Sequence, residues 1–325
     1  MGIIGLVHAA IQNRQVGWLN IESKTRKYMR KQQPLWKKLK LLLLFNPLRT
    51  WLDTTHAMRL YMHNSAIKEG KKEATPASAK RIREFISFFH INMDEFEPSD
   101  PAAFSSFEEF FVRHHKPRTW PIFEAENPSS AVCVAGLRVV VYEHDFTITN
   151  LVMDRKLGPQ FGDGPVTSFR LSPQDYHRYH SPVSGKIKVF RGLPGDYYEV
   201  DLLAIRSGVD NARDSVVIET EELGEVLFVA IGAGQVGTVE YPSIYTLLVQ
   251  DADDGRIHEK WQKPGAEIMK GDELGIFQFG GSSIIVAFQK GRIQSDEDLV
   301  EPSKRAIAVD VEVGMSLGRA TSEAT

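Results

Sequence analysis

Apolar residues recur along the chain in two rhythms. Over Ala79 to His90, Ile82, Phe85, Ile86 and Phe89 fall at i, i+3, i+4 and i+7, one face of a helix, with Ser78 placed as its N-cap. Phe107, Phe110 and Phe111 give a shorter apolar stripe over Ser106 to Arg113. Residues 34 to 70 also read as helix, interrupted near Asn46-Pro47, and Gly70 to Pro76 as a loop. From Ser130 the rhythm changes. Val132 to Tyr142, Lys186 to Phe190, Ser215 to Glu219, Val226 to Ile231, Ser243 to Val249 and Ser283 to Phe288 are short, β-branched apolar runs. Pro182, Gly185, Pro194-Gly195, Gly224, Pro264-Gly265 and Gly271 punctuate them, as turns do between strands. The pattern predicts an α+β chain: a variable lead-in over 1–33, a mostly helical N-terminal region over 34–122, and a β-rich core of sandwich or barrel type over 123–325.

Composition narrows this picture only a little. The 325 residues are 42% hydrophobic and 25% charged, ordinary values for a globular chain, and a net charge of -3 gives no general attraction to nucleic acid. The single cysteine, Cys133, excludes an intrachain disulfide framework and a cysteine-rich zinc site. Met1 to Ala10 is apolar but lacks the basic start of a signal peptide, and Leu6 stands where a myristoylation signal carries Ser or Thr. The longest apolar run, Leu41 to Phe45, falls far short of the roughly 20 residues needed to span a bilayer. Charge is uneven, however. Lys24 to Lys40 holds eight basic residues and no acid, followed by the leucine run and flanked by Trp36 and Trp51. Such a segment can lie on an anionic membrane surface, and it can equally pack its leucines inward and solvate its lysines. The expectation is an intracellular protein, cytoplasmic or peripheral to a membrane.

Four stretches carry candidate chemistry. Gly232-Ala-Gly234-Gln-Val-Gly237 follows an apolar strand, as a dinucleotide fingerprint does, but Thr238-Val-Glu-Tyr-Pro242 favours strand and turn where that motif needs a helix. Ser181 to Val189 and Lys263 to Gly275 resemble the hammerhead units of lipoyl and biotinyl carriers, and without a lysine at an exposed hairpin tip they read as architecture. Asp175-Tyr-His-Arg-Tyr-His180 gathers two histidines, an arginine and a carboxylate. His177 and His180 are candidates for acid–base work if a turn lets them converge, and otherwise are satisfied loop residues; a zinc pair lacks further ligands. Gly280-Gly-Ser-Ser283 is a glycine-rich turn by default. It also permits sharper chemistry, because glycines tolerate the backbone that brings the Ser282 hydroxyl onto the Gly281 carbonyl. Attack there turns the amide into an ester, β-elimination leaves dehydroalanine, and hydrolysis gives a pyruvoyl group and ammonia, provided that a base takes the hydroxyl proton.

These pieces occur in the order of the phosphatidylserine decarboxylases, and the chain resembles that family from about residue 35 to 318. Phe107-Glu-Glu-Phe-Phe-Val-Arg113 through Lys116-Pro117 to Trp120-Pro-Ile122 is similar to the family's FNEFF-R-x-x-KP…RPI. Phe169 to Gly185 is similar to FRLAPQDYHRFHSPVDG. Pro194-Gly-Asp196, Asn211-Ala-Arg213 and Val229 to Gly237 resemble further family elements. Lys270 to Ser283 resembles the processing segment, with Gly-Gly-Ser-Ser for the common Leu-Gly-Ser-Thr, and Val313 to Gly318 the terminal VGxSIG.

The resemblance implies the family fold and self-cleavage between Gly281 and Ser282, with Ser282 the precursor of a pyruvoyl cofactor and residues 282–325 the small α chain beside the larger β chain. It implies His180 as the base for cleavage and His177 as a proton-handling residue in decarboxylation. The pyruvoyl ketone would take up the substrate amine and serve as electron sink. Phosphatidylserine at an anionic membrane surface is the implied substrate, phosphatidylethanolamine and CO2 the products; homodimerisation is a family expectation, and neither metal nor nucleic acid is implied. One departure stands out. Where the family carries an aspartate to orient and charge-stabilise the histidine, alignment on Arg138 places Gly136, with Ala135 beside it. Glu143, Asp145 and Asp175 are the carboxylates that could substitute. The family also includes pyruvoyl tryptophan decarboxylases, some fungal, that lack this aspartate. Alternatives are therefore a decarboxylase of a soluble aromatic amino acid and an unprocessed, non-catalytic relative.

Overall fold

A computed structural model describes residues 19–30, 71–143, 158–193, 213–232, 255–277 and 283–321. Among these, ten strands form one sheet in the order Glu267–Ile268, Gly185–Leu193, Arg213–Glu219, Glu225–Ile231, Ser283–Phe288, Val166–Arg170, Leu137–Tyr142, Ala308–Val311, Leu19–Glu22 and Tyr28–Arg30. Every neighbouring pair is antiparallel except Leu19–Glu22 with Ala308–Val311. The centre of this sheet is buried on both faces. All six residues of Ser283–Phe288 are buried. Ile284, Val286 and Phe288 join the main core with Phe228, Phe169 and Val216, while Ile285 and Ala287 join Val229, Leu227 and Phe161 on the other side. This explains why the run is continuously apolar and not alternating.

The chain is thus a β-rich α+β protein. The predicted strands that fall among the described residues appear near their expected bounds, with one interruption. The run over Val132 to Tyr142 is two strands, Ser130–Val132 and Leu137–Tyr142, separated by an irregular Cys133–Gly136 whose first three residues are buried. Its carbonyls remain paired: Val134 accepts the His180 amide at 2.8 Å and Cys133 the Gly314 amide at 3.0 Å. Backbone satisfied in this way can be irregular inside a core.

The predicted helix around Ile82 begins differently than expected. Pro76–Arg81 is a 3-10 turn and the α-helix proper is Ile82–Phe89. Ser78 is no N-cap; its hydroxyl donates to the Glu73 and Thr75 carbonyls and accepts the Phe107 amide at 2.8 Å, tying this turn to the next helix. That helix, Phe107–Phe111, is capped by Ser106, which accepts the Glu109 amide. Ile82, Phe85, Phe107, Phe110 and Phe111 form a separate, largely phenylalanine cluster. Within the stretch read as a lead-in, Leu19–Glu22 and Tyr28–Arg30 complete one edge of the large sheet. The helix expected over 34–70, the strand over Ser243 to Val249, most of the basic segment, and Gly281 and Ser282 lie outside the described residues.

Candidate active site

A second, three-stranded sheet carries the histidine motif. Glu273–Phe277 is its middle strand, with Gly255–Ile257 on one side and Arg178–His180 on the other. Alternation along Arg178–His180 sends Tyr179 into the core against Phe228 and Phe277. Arg178 and His180 therefore share the opposite face, where Glu273 stands across from His180 in register.

His180 is held at both ring nitrogens. Nδ1 lies 2.9 Å from the Gly271 carbonyl oxygen and Nε2 3.1 Å from the Tyr176 hydroxyl. A carbonyl only accepts, so Nδ1 carries the proton. In the neutral ring Nε2 then presents its lone pair and accepts from the Tyr176 hydroxyl. Burial pushes the His180 pKa below its ordinary value, against the opposing pull of the Gly271 hydrogen bond and the Glu273 and Asp272 charges. The ring is neutral at physiological pH, the state required of a base.

Gly271 sits in a turn at φ +86°, and a Cβ on it would meet Ile122 Cδ1 at 2.6 Å. Only glycine combines that conformation with that contact, and both aim its carbonyl at His180. The neighbouring Lys270 locks the turn. Its buried ammonium donates to the carbonyls of Glu124 at 2.7 Å, Asn127 at 2.9 Å and Ser130 at 3.2 Å, and also to the Ser130 hydroxyl.

Gly136, the position at which the resemblance leads one to expect an aspartate, faces an aromatic ring. A Cβ on Gly136 would lie 2.6 Å from Trp120 Cη2, so the indole fills the space that any side chain at 136 needs. Trp120 in turn packs on His115, ring centroids 3.4 Å apart, and edge-on to Tyr176 at 5.4 Å. Trp120 also stands where the family stretch RPI has arginine. Of the carboxylates considered from sequence, Glu143 faces Lys304 at 3.8 Å, and Asp175 accepts the Ser172 amide at 2.7 Å while its charge acts on Arg113 and His177. Asp145 lies outside the described residues. The carboxylates whose charge bears on His180 are instead Asp272 and Glu273. Sequence reasoning missed them, although both belong to the Lys270-Gly-Asp-Glu-Leu-Gly275 stretch that precedes the glycine-serine turn.

Glu273 is itself organised. Its Oε1 accepts from Arg178 Nη1 at 2.7 Å and meets His258 Nε2 at 2.9 Å. Burial pushes its pKa up, but Arg178 and His258 outweigh that and hold the carboxyl below its usual range. His177 has other surroundings. It is buried, stacked on Phe111 with centroids 3.7 Å apart, and its Nε2 lies 3.4 Å from the Pro173 carbonyl. Burial drives its pKa down to about 3, against the Asp175 charge and helped by Arg113. The two histidines are thus both neutral but occupy different niches, His180 beside Tyr176 and Gly271, His177 beneath the phenylalanine cluster. No group of three or more histidine, cysteine or acidic side chains suited to a metal occurs among the described residues.

A family model described as phosphatidylserine decarboxylase matches residues 107–319. Phosphatidylserine decarboxylase proenzyme 3 of Schizosaccharomyces pombe is 33% identical over 325 residues, 95% of this chain and 31% of that protein. Proenzyme 2 of Oryza sativa subsp. japonica is 36% identical, covering 84% of this chain and 43% of that protein. The phosphatidylserine decarboxylase proenzyme of Ruminiclostridium cellulolyticum is 30% identical over 76% of this chain and 81% of its own length. The chain thus spans less than half of the fungal and plant relatives and most of the bacterial one. The match includes the strand that carries His180, the turn that orients it and the strand that follows Ser282, and on these grounds the chain belongs to the phosphatidylserine decarboxylase family.

Proposed function

We propose that this chain is a self-processing decarboxylase that cleaves itself between Gly281 and Ser282 and converts phosphatidylserine to phosphatidylethanolamine and CO2. The observation that carries this reading is the neutral, doubly held His180 on a strand paired with Glu273–Phe277. Only residues 278–282 connect that strand to Ser283–Phe288. His180 Nε2 takes the Ser282 hydroxyl proton, the oxygen attacks the Gly281 carbonyl, and elimination and hydrolysis release ammonia and leave a pyruvoyl group on residue 282. The residues present suit such a terminus, since Ser283 is buried and paired on both sides, to Arg170 and Ile231, and anchors whatever precedes it. The pyruvoyl group supplies an electron sink for the carbon that loses CO2. His177, neutral in its niche, handles the proton that returns to that carbon. The Gly271 carbonyl fixes the His180 tautomer as a carboxylate would, but a neutral acceptor stabilises the imidazolium less, so Asp272 and Glu273 carry that task at longer range.

The finer expectations follow the same reading: hammerhead-like units within the β-rich core, a large β chain held to the small α chain over residues 282–325, and work at an anionic membrane surface. No helix among the described residues is long and apolar enough to cross a membrane. The test is CO2 release from carboxyl-labelled phosphatidylserine in vesicles, beside free tryptophan, with wild type and Ser282→Ala. Wild type releases CO2 from the lipid and Ser282→Ala does not. Release from tryptophan alone overturns the lipid assignment, and release from neither overturns the enzymatic one.

A further inference from the structure

Tyr176 belongs to none of the roles assigned so far, yet it is the group at His180 Nε2. Its phenol is buried, and the hydroxyl is 3.1 Å from that nitrogen with the two rings nearly parallel, 15° apart. The ring is fixed by its neighbours. His115 lies 4.5 Å away centroid to centroid, and Trp120 meets it edge-on at 82°. Trp120 can approach because position 136 has no Cβ. The clamp therefore runs from a missing side chain at Gly136, through the indole, to a phenol that points at the base.

We propose that Tyr176 is the positioning residue of His180, holding the imidazole in its Nδ1–H form and forming the path by which Nε2 takes up a proton. In self-cleavage the Ser282 O–H breaks as its oxygen bonds to the Gly281 carbonyl carbon, its proton forms a new O–H bond at the phenol oxygen, and the original phenol O–H breaks as its proton bonds to Nε2. Tyr176 ends unchanged and His180 ends as imidazolium. No further reactant is needed. Burial keeps the phenol far from ionising itself, so it acts as donor and relay and not as a base. The groups that bear on His180 are Tyr176 and Arg178 from its own segment, Asp272 and Glu273 from the turn and strand across from it, and His115 from the strand beneath Trp120. Of these, the Tyr176 hydroxyl alone hydrogen-bonds Nε2. Removing it strips a stabilising donor from the neutral ring, so the His180 pKa should rise.

The functional consequence rests on His180 being the base for self-cleavage; the tautomer assignment does not. Tyr176→Phe is therefore compared with the intact chain by nitrogen-15 NMR of histidine-labelled protein, the His180 signals being identified with His180→Gln, and by the pH dependence of chain cleavage. The wild type should show Nε2 unprotonated at neutral pH. In Tyr176→Phe the His180 pKa should rise by about half a unit to one unit. The midpoint of the cleavage profile should move up with it, and its plateau should fall about tenfold or more, part of the about 10²–10⁴ that a positioned base supplies. Gly136→Ala, which forces the indole off its seat, should shift the His180 signal in the same direction if Tyr176→Phe fails to fold. An Nε2–H tautomer in the wild type, or a His180 signal indifferent to both substitutions, overturns the proposal whether or not the chain is cut. Faster cleavage in Tyr176→Phe overturns the relay. A wild type that stays uncut while its His180 titration follows the prediction leaves Tyr176 its positioning role and removes the decarboxylase reading.

Discussion

Gly136 and Trp120 shape the site at the level of single atoms. With 2.6 Å between a notional Cβ and the indole, aspartate at 136 cannot be added without moving Trp120. Gly136→Asp should lower stability by about 1–3 kcal/mol through overpacking alone, and should slow cleavage although it adds a carboxylate. Thermal melts and gel-based cleavage rates check this; a variant as stable as wild type that cleaves faster would mean that the indole yields easily. A second residue-scale effect is acid sensitivity. His177 and His115 both have pKa values pushed from 6.5 to about 3, chiefly by burial. Above pH 6.5 they are neutral folded or unfolded. Below it the unfolded chain binds protons that the folded chain refuses, so stability falls as pH drops toward about 3. His177 alone should cost about 2 kcal/mol at about pH 5. Urea midpoints of the uncut Ser282→Ala chain at about pH 7.5 and pH 5 measure the loss, and His177→Gln should reduce it. Equal midpoints would show that His177 is not held in its buried, neutral state.

Among elements, the segment from Trp120 to Ser130 acts as a strap over the site. Trp120 seats on Gly136 and Ile122 against Gly271, the Phe123 amide donates to the Gly314 carbonyl at 2.8 Å, and Lys270 closes the far end. Lys270→Met keeps the stem but leaves three carbonyls and a hydroxyl without their cation, at a cost of about 2–4 kcal/mol. Hydrogen exchange should quicken over Glu124–Ser130 and at the Ser181 amide, which donates to the Asp272 carbonyl in the same turn. Unchanged exchange there would contradict the latch. None of this strap was legible in the sequence, because its contacts are tertiary and most of them, Ile122 with Gly271, Phe123 with Gly314 and Lys270 with Glu124 to Ser130, join residues more than a hundred positions apart. What was legible followed local pattern. Ser283–Phe288 announced itself as a buried strand by six apolar or small residues in a row, and Phe107–Phe111 as a helix by its stripe. Cys133–Gly136 did not announce its break, since it is as apolar as the strands on either side. Ser78 resembled a cap because it precedes the apolar stripe, but its hydroxyl is taken by the Glu73 and Thr75 carbonyls and by the Phe107 amide of another helix. Leu19–Glu22 joins the large sheet by pairing with Ala308–Val311, a partner that no local window contains. At the site, His180, His177 and Gly136 could be named in advance, whereas Tyr176, Asp272 and Glu273 needed the tertiary register.

At the scale of the molecule, residues 278–282, which contain the proposed cleavage point, link a strand of one sheet, Glu273–Phe277, to a strand of the other, Ser283–Phe288. The three-stranded sheet supplies the oriented base, and the ten-stranded sheet supplies Ser283–Phe288 as a rigid anchor between Glu225–Ile231 and Val166–Arg170. A cut before Ser282 would leave the new terminus at the head of a buried central strand, so both products should stay associated until denatured. The central claim is the break itself, and the intact mass of the denatured wild-type chain tests it most directly. The account predicts two species, residues 1–281 and residues 282–325, the smaller beginning with a pyruvoyl group in place of serine, and a single species for Ser282→Ala. A wild type that gives only the uncut 325-residue chain would contradict it.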